Sequence, residues 1–100
     1  MTYTIIYSPQ AREDIKEAYL WLFERTLQHA PAWHDRLLDA IDSLKNMPSR
    51  CPLAPEYKKS KEKVHHLIVG DRIHAYRIIF AIRGEMVVVL RVIHGARVIY

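Results

Sequence analysis

Two kinds of hydrophobic spacing divide this chain: a helical period in its first half and strand-like runs in its last third. Residues 73–97 contain two runs rich in Ile, Val, Tyr and Phe, on either side of Gly84-Glu85. Such runs are typical of strands, and Gly in the first position of a two-residue loop favours a type II′ turn. We therefore predict a β-hairpin at the centre of the domain.

The two-residue loop also predicts the register of the hairpin. The predicted pairs are Arg83 with Met86, Ala81 with Val88, Ile79 with Leu90, Arg77 with Val92, and Ala75 with His94. Because side chains alternate across a sheet, Arg77 and His94 are expected diagonally on one face, with Arg97 just past the strand end. The other, bulkier face is the predicted core face: Tyr76, Ile78, Phe80, Ile82, Val87, Val89, Arg91 and Ile93.

The first half of the chain predicts one strand and two helices. Residues 2–7 are β-branched and aromatic, which favours a strand. Ser8 is a good N-cap and Pro9 suits a first helical position, so helix one is predicted over residues 9–27. Its apolar face comprises Ala11, Ile15, Ala18, Tyr19 and Leu22.

Pro31 predicts the start of a second helix after a short break. The apolar positions of this helix are Trp33 (or Ala30), Leu37, Ile41 and Leu44. A break this short favours an antiparallel helical hairpin. Both Trp21 and Trp33 are expected in the core or at the contact between the helices.

Residues 46–63 contain three prolines and little periodicity, so they are predicted to be a connection, and residues 64–69 a further strand. The resulting order is β-α-α-β-β-β within one domain, residues 1–100. This order predicts an α+β fold, with the helical hairpin on one face of a small, largely antiparallel sheet. The other face would be partly open, and Arg77 and His94 are expected to point there.

Composition and charge narrow the class of protein. Cys51 is the only cysteine, which excludes an internal disulfide, and no apolar run approaches the roughly 20 residues that span a bilayer. With no signal-peptide pattern, a cytoplasmic protein without membrane contact is expected. Residues 1–47 carry five basic and seven acidic side chains, whereas residues 48–100 carry ten and four, for a total of +4. The basic half, including the lysine-rich run 58–63, fits a polyanion or acidic protein partner, and equally a solvated basic surface.

Few kinds of chemistry remain open to these residues. There is no glycine-rich phosphate loop and no paired-cysteine motif, and the adjacent His65 and His66 would point to opposite faces of a strand. No metal or cofactor is expected. Cations and histidine alone can support metal-free RNA cleavage, with His94 as acid or base and with Arg77 and Arg97 holding the phosphate. The same residues can instead receive an acidic partner or serve only the structure.

The chain resembles the RelE/ParE family of toxins from bacterial type II toxin–antitoxin (plasmid stabilisation) modules. The matching pieces are Ser8-Pro9-Gln10-Ala11 with Asp14-Ile15, then Tyr76-Arg77-Ile78-Ile79-Phe80, and finally Arg91-Val92-Ile93-His94-Gly95-Ala96-Arg97. The resemblance implies the β-α-α-β-β-β fold and a cognate antitoxin that wraps and neutralises the toxin. RelE-like members cleave mRNA on the ribosome, whereas ParE-like members poison DNA gyrase.

The RelE branch implies basic residues that this chain reproduces in part. Arg77 matches the third-strand Arg, and Arg97 matches the Arg after the last strand. The paired lysines of the earlier strand are missing, although Lys61 and Lys63 lie just before it, and Tyr100 sits closer to Arg97 than the motif expects. The ending with His94 and Arg97 is more similar to the ParE branch.

Our leading hypothesis is therefore a ParE-like toxin that acts by binding gyrase and has no catalytic chemistry of its own. The alternative is a ribosome-dependent mRNA endonuclease using Arg77, His94 and Arg97, with Lys61, Lys63, His65 or His66 binding the substrate. A third reading is an inactive member that only binds its antitoxin. The antitoxin is expected to be acidic and partly disordered, with operator DNA contacted only through the toxin–antitoxin complex.

Overall fold

The computed structural model describes residues 2–25, 29–70 and 75–94, and these residues confirm the predicted α+β order. Four strands form one sheet in the order β1-β4-β3-β2, in which β1 runs parallel to β4 and the other pairs are antiparallel. The elements are β1 (Thr4–Tyr7), α1 (Pro9–Arg25), α2 (Ala30–Asp42), the 3₁₀ turns Ser43–Lys45, Pro48–Arg50 and Pro55–Tyr57, β2 (Val64–Val69), β3 (Tyr76–Arg83) and β4 (Met86–His94). The predicted end of helix one, Leu27, lies outside the described residues.

Both helices pack on one face of the sheet, which we call the helix face; the opposite one is the outer face. The predicted apolar positions of the second helix are all buried, although Leu44 lies in the 3₁₀ turn that follows α2, and those of α1 are buried or partly buried against the same cluster. The helix-face core comprises Ala11, Trp33, Leu37, Ile41, Leu44, Cys51, Tyr76, Ile78, Phe80, Val87, Val89 and Val92. The outer face carries a smaller cluster formed by Ala54, Val64 and Ile79.

The two tryptophans differ in a way that hydrophobicity alone does not predict. Trp33 is 8% exposed, as expected, whereas Trp21 is 48% exposed and the prediction for it was wrong. Ala18 and Leu22 occupy the core-facing side of α1, which leaves Trp21 at the edge of that side. The guanidinium of Arg25, one helical turn later, lies 4.0 Å above its ring centroid and covers it.

Ser8 joins the start of α1 to strand β4. Its hydroxyl accepts a hydrogen bond from the backbone N–H of Ala11 at 3.0 Å, as an N-cap does, and donates to the carbonyl oxygen of Leu90 at 2.9 Å. The backbone N–H of Ser8 also donates to the Val89 carbonyl. The predicted cap at Ser8 is therefore confirmed. The same residue also anchors the start of α1 to β4 through two hydrogen bonds.

The hairpin turn has the predicted geometry. Arg83 faces Met86, and Gly84 has a φ of +60°, which the first loop position of a type II′ turn requires. A Cβ atom on Gly84 would meet nothing within 4 Å, so glycine is favoured there by backbone conformation rather than by space.

Beyond the middle of the hairpin, however, the predicted register was wrong. Phe80 faces Val89, but the next pair is Ile79 with Arg91, so Leu90 is an extra residue in β4. Such a β-bulge moves every later side chain of its strand to the other face. Tyr76 consequently faces His94, and Arg77 faces Ile93.

The bulge reverses the predicted faces at the end of β4. Val92, expected on the outer face, lies in the helix-face core, and Ile93, expected in the core, packs against the outer cluster. His94 meets the ring of Tyr76 edge-on, with 4.9 Å between the centroids. Arg77 and His94 therefore do not share a face, because the one-residue insertion separates them.

Asp14 of α1 stabilises the bulged segment. Its carboxylate, with 6% of the side chain exposed, accepts two hydrogen bonds from Arg91 at 2.7 and 3.1 Å and one from the backbone N–H of Val92 at 3.0 Å. Burial alone would raise the pKa of Asp14, but the hydrogen bonds from Arg91, Val92 and Gln10 outweigh it and hold this pKa below its usual value. The carboxylate thus accepts the N–H of a β4 residue that lies beyond Val89, the last residue of β4 paired with β1.

Replacing Asp14 with Asn should destabilise the fold markedly. The variant loses the charge of a nearly buried acceptor and leaves Arg91 partly unpaired, so we expect a loss of about 2 kcal/mol in the free energy of unfolding. The matched control is Asp42→Asn, which removes an exposed pair with Lys45 and should cost about 0.5 kcal/mol or less. Urea unfolding of both variants measures the difference, and equal losses would contradict the role assigned to Asp14.

Candidate functional site

Arg77 is the most deeply buried charged side chain among the described residues and lies at the centre of the candidate site. It stands on the outer face in β3 and is 1% exposed. Its two terminal nitrogens donate to the two carboxylate oxygens of Glu56 at 2.6 and 2.7 Å, and its Nε donates to Nδ1 of His66 at 3.0 Å. A guanidinium, a carboxylate and an imidazole are thereby joined on one sheet face.

Glu56 reaches this position because the connection before β2 folds along that strand. The N–H of Ala54 donates to the carbonyl of Val64 at 2.8 Å, and the N–H of His66 donates to the carbonyl of Pro52 at 3.0 Å. Pro55 then opens a 3₁₀ turn, and prolines suit this first position because their φ is already helical. The turn, Pro55–Tyr57, covers the outer face above Arg77.

The electrostatics of the site follow from the buried guanidinium. The bidentate hydrogen bond from Arg77 lowers the pKa of Glu56 to about 2, so this carboxylate is ionised over the physiological range. Burial, followed by the charge of Arg77, lowers the pKa of His66, and the charge of Glu56 opposes this in part. His66 is therefore neutral at pH 7. Since its Nδ1 accepts from Arg77, the proton of the ring is on Nε2.

The structure brings together only part of the predicted RNase residues. Arg77 and His66 are in direct contact, whereas His94 lies on the helix face because of the bulge at Leu90. There it lines a cleft of about 310 Å³ between α1 and the end of β4, with Trp21, Tyr76 and Arg91 among the lining residues. Arg97 and Tyr100 lie outside the described residues.

His65 has a structural environment and points away from His66, as predicted. Its ring stacks on Phe80 with 5.5 Å between the centroids. Its Nδ1 lies 2.8 Å from the carbonyl oxygen of Cys51, which can only accept, so Nδ1 carries the proton and donates. This histidine anchors the connection to the helix-face side of the sheet.

Glu56 is the residue of the site that the sequence did not indicate. It lies in a proline- and lysine-rich connection, 21 positions before Arg77, and no local period relates the two. The one available signal was chemical: a strand arginine flanked by apolar residues needs a buried or half-buried carboxylate partner.

The other described hairpin arginines are paired in the same manner. Arg83 donates twice to Glu62, and Arg91 donates twice to Asp14. Three of the ten basic side chains of residues 48–100 are therefore paired with carboxylates of the chain itself in the described ranges. The connection also carries four exposed lysines, Lys58, Lys59, Lys61 and Lys63. None of them belongs to an ion pair found in the described part of the chain.

The described residues contain neither a metal-binding cluster nor a membrane-spanning helix. Residues 2–25, 29–70 and 75–94 contain no group of three or more His, Cys, Asp or Glu side chains arranged to hold a metal ion. Within the same ranges, neither helix has the length and apolar character needed to cross a bilayer.

Comparison with known proteins places this chain among the toxins of type II toxin–antitoxin systems. The family model described as the ParE toxin of the type II toxin–antitoxin system parDE matches residues 5–99. The chain therefore belongs to the ParE toxin family, and the resemblance to RelE/ParE toxins is confirmed.

Individual relatives come from both named branches. Toxin RelE1 of Caulobacter vibrioides (strain ATCC 19089 / CIP 103742 / CB 15) is 30% identical in an alignment of 86 positions, which covers 78% of this chain and 92% of that protein. A chain from the chromosomal ParDE system of P. aeruginosa has a TM-score of 0.75 at 13% identity, covering 93% of this chain and 96% of that one. A chain from the RelBE2 toxin–antitoxin complex of Mycobacterium tuberculosis has a TM-score of 0.52 at 21% identity, covering 94% and 99%. At these identities the structural likeness shows the fold alone.

The pKa shifts predict that acid destabilises the fold through His66. Its folded pKa is depressed below 6.5, so as the pH falls through 6.5 towards that folded pKa the unfolded chain binds more protons, and stability falls. Glu56 adds a loss of the same sign below 4.5, towards its folded pKa of about 2. In His66→Asn, the amide oxygen replaces Nδ1 as the acceptor for Arg77 without titrating. Urea midpoints should therefore depend less on pH in this variant, and an unchanged pH dependence would contradict the assignment.

Proposed function

We propose that this chain is a ParE-like toxin that inhibits bacterial growth by poisoning DNA gyrase in the cytoplasm, and that a cognate antitoxin neutralises it. The proposal concerns a protein–protein interaction and requires no catalytic group in the chain. The match of the ParE family model to residues 5–99 supports it.

The observation that carries the proposal is the state of Arg77. An RNase would need this guanidinium to hold a phosphate, yet it is 1% exposed and both terminal nitrogens donate to Glu56. The acid or base expected beside it, His94, is on the other face of the sheet. Because the guanidinium of Arg77 is already neutralised and covered, a structural role is favoured for it over a catalytic one.

Gyrase supercoiling of relaxed plasmid tests this function directly. We expect the purified chain to inhibit supercoiling and to accumulate cleaved DNA, because a gyrase poison traps the enzyme with its DNA broken. The heat-unfolded chain at the same concentration is the control for nonspecific inhibition. Folded protein that slows growth but leaves gyrase unaffected would contradict the proposal, and folded protein that does not slow growth would favour an inactive, antitoxin-binding member.

The second candidate is a ribosome-dependent mRNA endonuclease, which one observation favours. Arg77 lies within hydrogen-bonding distance of both His66 and Glu56, and together the three offer a cation and two groups able to move protons. Lys61 and Lys63, on the exposed segment before β2, would then bind the RNA backbone. In this candidate His66 takes the place of His94 beside the arginine.

Arg77→Ala combined with Arg97→Ala tests the endonuclease. If the chain cuts mRNA on the ribosome, the double variant should lose about 100-fold or more of that activity, because the charge on the phosphorane is no longer stabilised. Arg83→Ala, which removes an exposed paired arginine of the same hairpin, is the control and should cut normally. Undiminished cutting by the double variant would remove these residues from the mechanism, and circular dichroism must show that it is folded.

The chromosomal ParDE and RelBE2 relatives come from toxin–antitoxin systems, and we propose an acidic antitoxin for this chain as well. The connection between Pro55 and β2 offers the exposed lysines Lys58, Lys59, Lys61 and Lys63. An acidic segment of low intrinsic structure would gain Coulomb attraction there and become ordered on binding. Any contact with operator DNA is proposed to occur through that complex.

Reversing two of these charges should weaken the complex. We expect Lys58→Glu with Lys59→Glu to raise the Kd for the antitoxin about tenfold, with a larger effect at low salt. Arg36→Glu reverses an exposed charge on α2 and should have little effect. Isothermal titration of both variants at two salt concentrations measures this, and a stronger effect of Arg36→Glu would move the interface to the helices.

A further inference from the structure

Helix α1 presents an apolar side chain to solvent between two opposite charges. Lys16, Leu20 and Glu24 follow one another at intervals of four residues, so they form one ridge along the helix, which we call the charge ridge. All three side chains are exposed, and Leu20 is 49% exposed. The ion pairs found in the described ranges include neither Lys16 nor Glu24. The two charges of the ridge are therefore available to a partner.

A second exposed apolar side chain, Phe23, lies beside the charge ridge on the side of α2. It is 43% exposed, and its ring stacks on Tyr19 with 6.2 Å between the centroids. Tyr19 in turn meets the ring of His34 in α2 edge-on at 5.3 Å. These contacts hold the ring of Phe23 in place, and an exposed aromatic side chain that is already ordered loses little entropy when a partner covers it.

An open groove lies on the same side of α1, closer to the start of the helix. Its volume is about 500 Å³, and its walls include Tyr7, Ile15, Lys16 and Leu20. One face of the chain thus carries both a protruding aromatic ring and a largely apolar groove, offset along α1. A two-fold axis can fill both grooves at once, because the same patch of both copies then forms the interface.

We propose that this face of α1 binds a second copy of the same chain, with the two α1 helices antiparallel and the two-fold axis at Leu20. Residues equally far before and after Leu20 then face each other. Lys16 faces Glu24 of the second copy at both ends of the interface, and Phe23 lies at the level of the opposite groove. This inference goes beyond the proposed function, since it concerns the assembly of the chain and not its cellular target.

The pattern of charge favours a second copy over other partners. The ridge reads positive, apolar, negative, so its best partner presents the same order reversed, as an antiparallel copy does. A parallel copy would bring Lys16 against Lys16. An acidic segment would meet the exposed carboxylates Glu13, Glu17 and Glu24, in a half of the chain with five basic and seven acidic side chains. The lysines proposed for the antitoxin lie in the connection, away from α1.

The proposed dimer is weak, because its apolar centre is small. Leu20 and Phe23 provide the exposed apolar surface of α1 on this side, whereas stable interfaces use about 20–30 residues from each partner. We therefore expect a dissociation constant on the order of tens of micromolar.

Sedimentation equilibrium of the wild-type chain and three charge variants tests the dimer and its direction. Lys16→Glu and Glu24→Lys each place like charges together at both ends of the interface, so each should raise the dissociation constant about tenfold at low salt. The double variant, Lys16→Glu with Glu24→Lys, restores both pairs and should associate like the wild type. An equimolar mixture of the two single variants should also associate, because their heterodimer contains two opposite-charge pairs.

Leu20→Asp and Ile68→Asp form the matched apolar pair. Both side chains are exposed, but Ile68 lies in β2, so only Leu20→Asp should abolish the dimer. Arg36→Glu, on α2, is the charge control and should associate normally. Circular dichroism checks that each variant is folded. A wild-type chain that stays monomeric at about ten times the expected dissociation constant would overturn the proposal, as would a double variant no stronger than the single ones.

Cross-linking locates the axis independently of affinity. A cysteine in Leu20→Cys would face its own copy across the two-fold axis, so diamide should link two chains through a disulfide, whereas Ile68→Cys should not be linked. Cys51 is buried and should stay unreacted in both. Equal cross-linking of the two variants would contradict an axis at Leu20. Antitoxin binding that Leu20→Asp abolishes, in a chain that is monomeric alone, would assign this face to the antitoxin and overturn the dimer.

Discussion

The attachment of helix α1 to the bulged strand β4 is the constraint on which the rest of the structure depends. The hydroxyl of Ser8 donates to the carbonyl of Leu90. The carboxylate of Asp14 accepts from the N–H of Val92 and from the guanidinium of Arg91. These contacts hold an extra residue in β4, and the extra residue decides which face each later side chain of the strand occupies. The position of His94 beside Tyr76, and not beside Arg77, follows from it.

Carboxylates of the chain also neutralise the described arginines of the hairpin. Arg77, Arg83 and Arg91 each make a bidentate contact, but their energetic meaning differs with burial. The pair of Arg83 is exposed and contributes little, whereas a guanidinium as buried as that of Arg77 is tolerated only with a partner in close contact. The number of basic residues in a sequence therefore overstates the positive field that a partner meets close to the paired arginines.

The two proposed activities assign different roles to Arg77. In the gyrase poison, its pair with Glu56 is structural and ties the connection to the sheet. In the endonuclease, the same guanidinium would bind a phosphate, and Glu56 would have to leave it. Glu56 has 38% of its side chain exposed, whereas Arg77 has 2%, so the carboxylate is the partner with room to move.

Sequence patterns were sufficient to predict the elements, the α+β order, the cap at Ser8, the Gly84 turn and most of the core. These features depend on residues close together in the chain, through helical and strand periods, caps and turns. The sequence also placed His65 and His66 on opposite faces. The tertiary structure alone decided the bulge at Leu90, the exposure of Trp21 and the pairing of Arg77 with Glu56. Each of these arises from contacts between segments distant in the chain, where one inserted residue or one carboxylate changes the outcome and no local pattern records it.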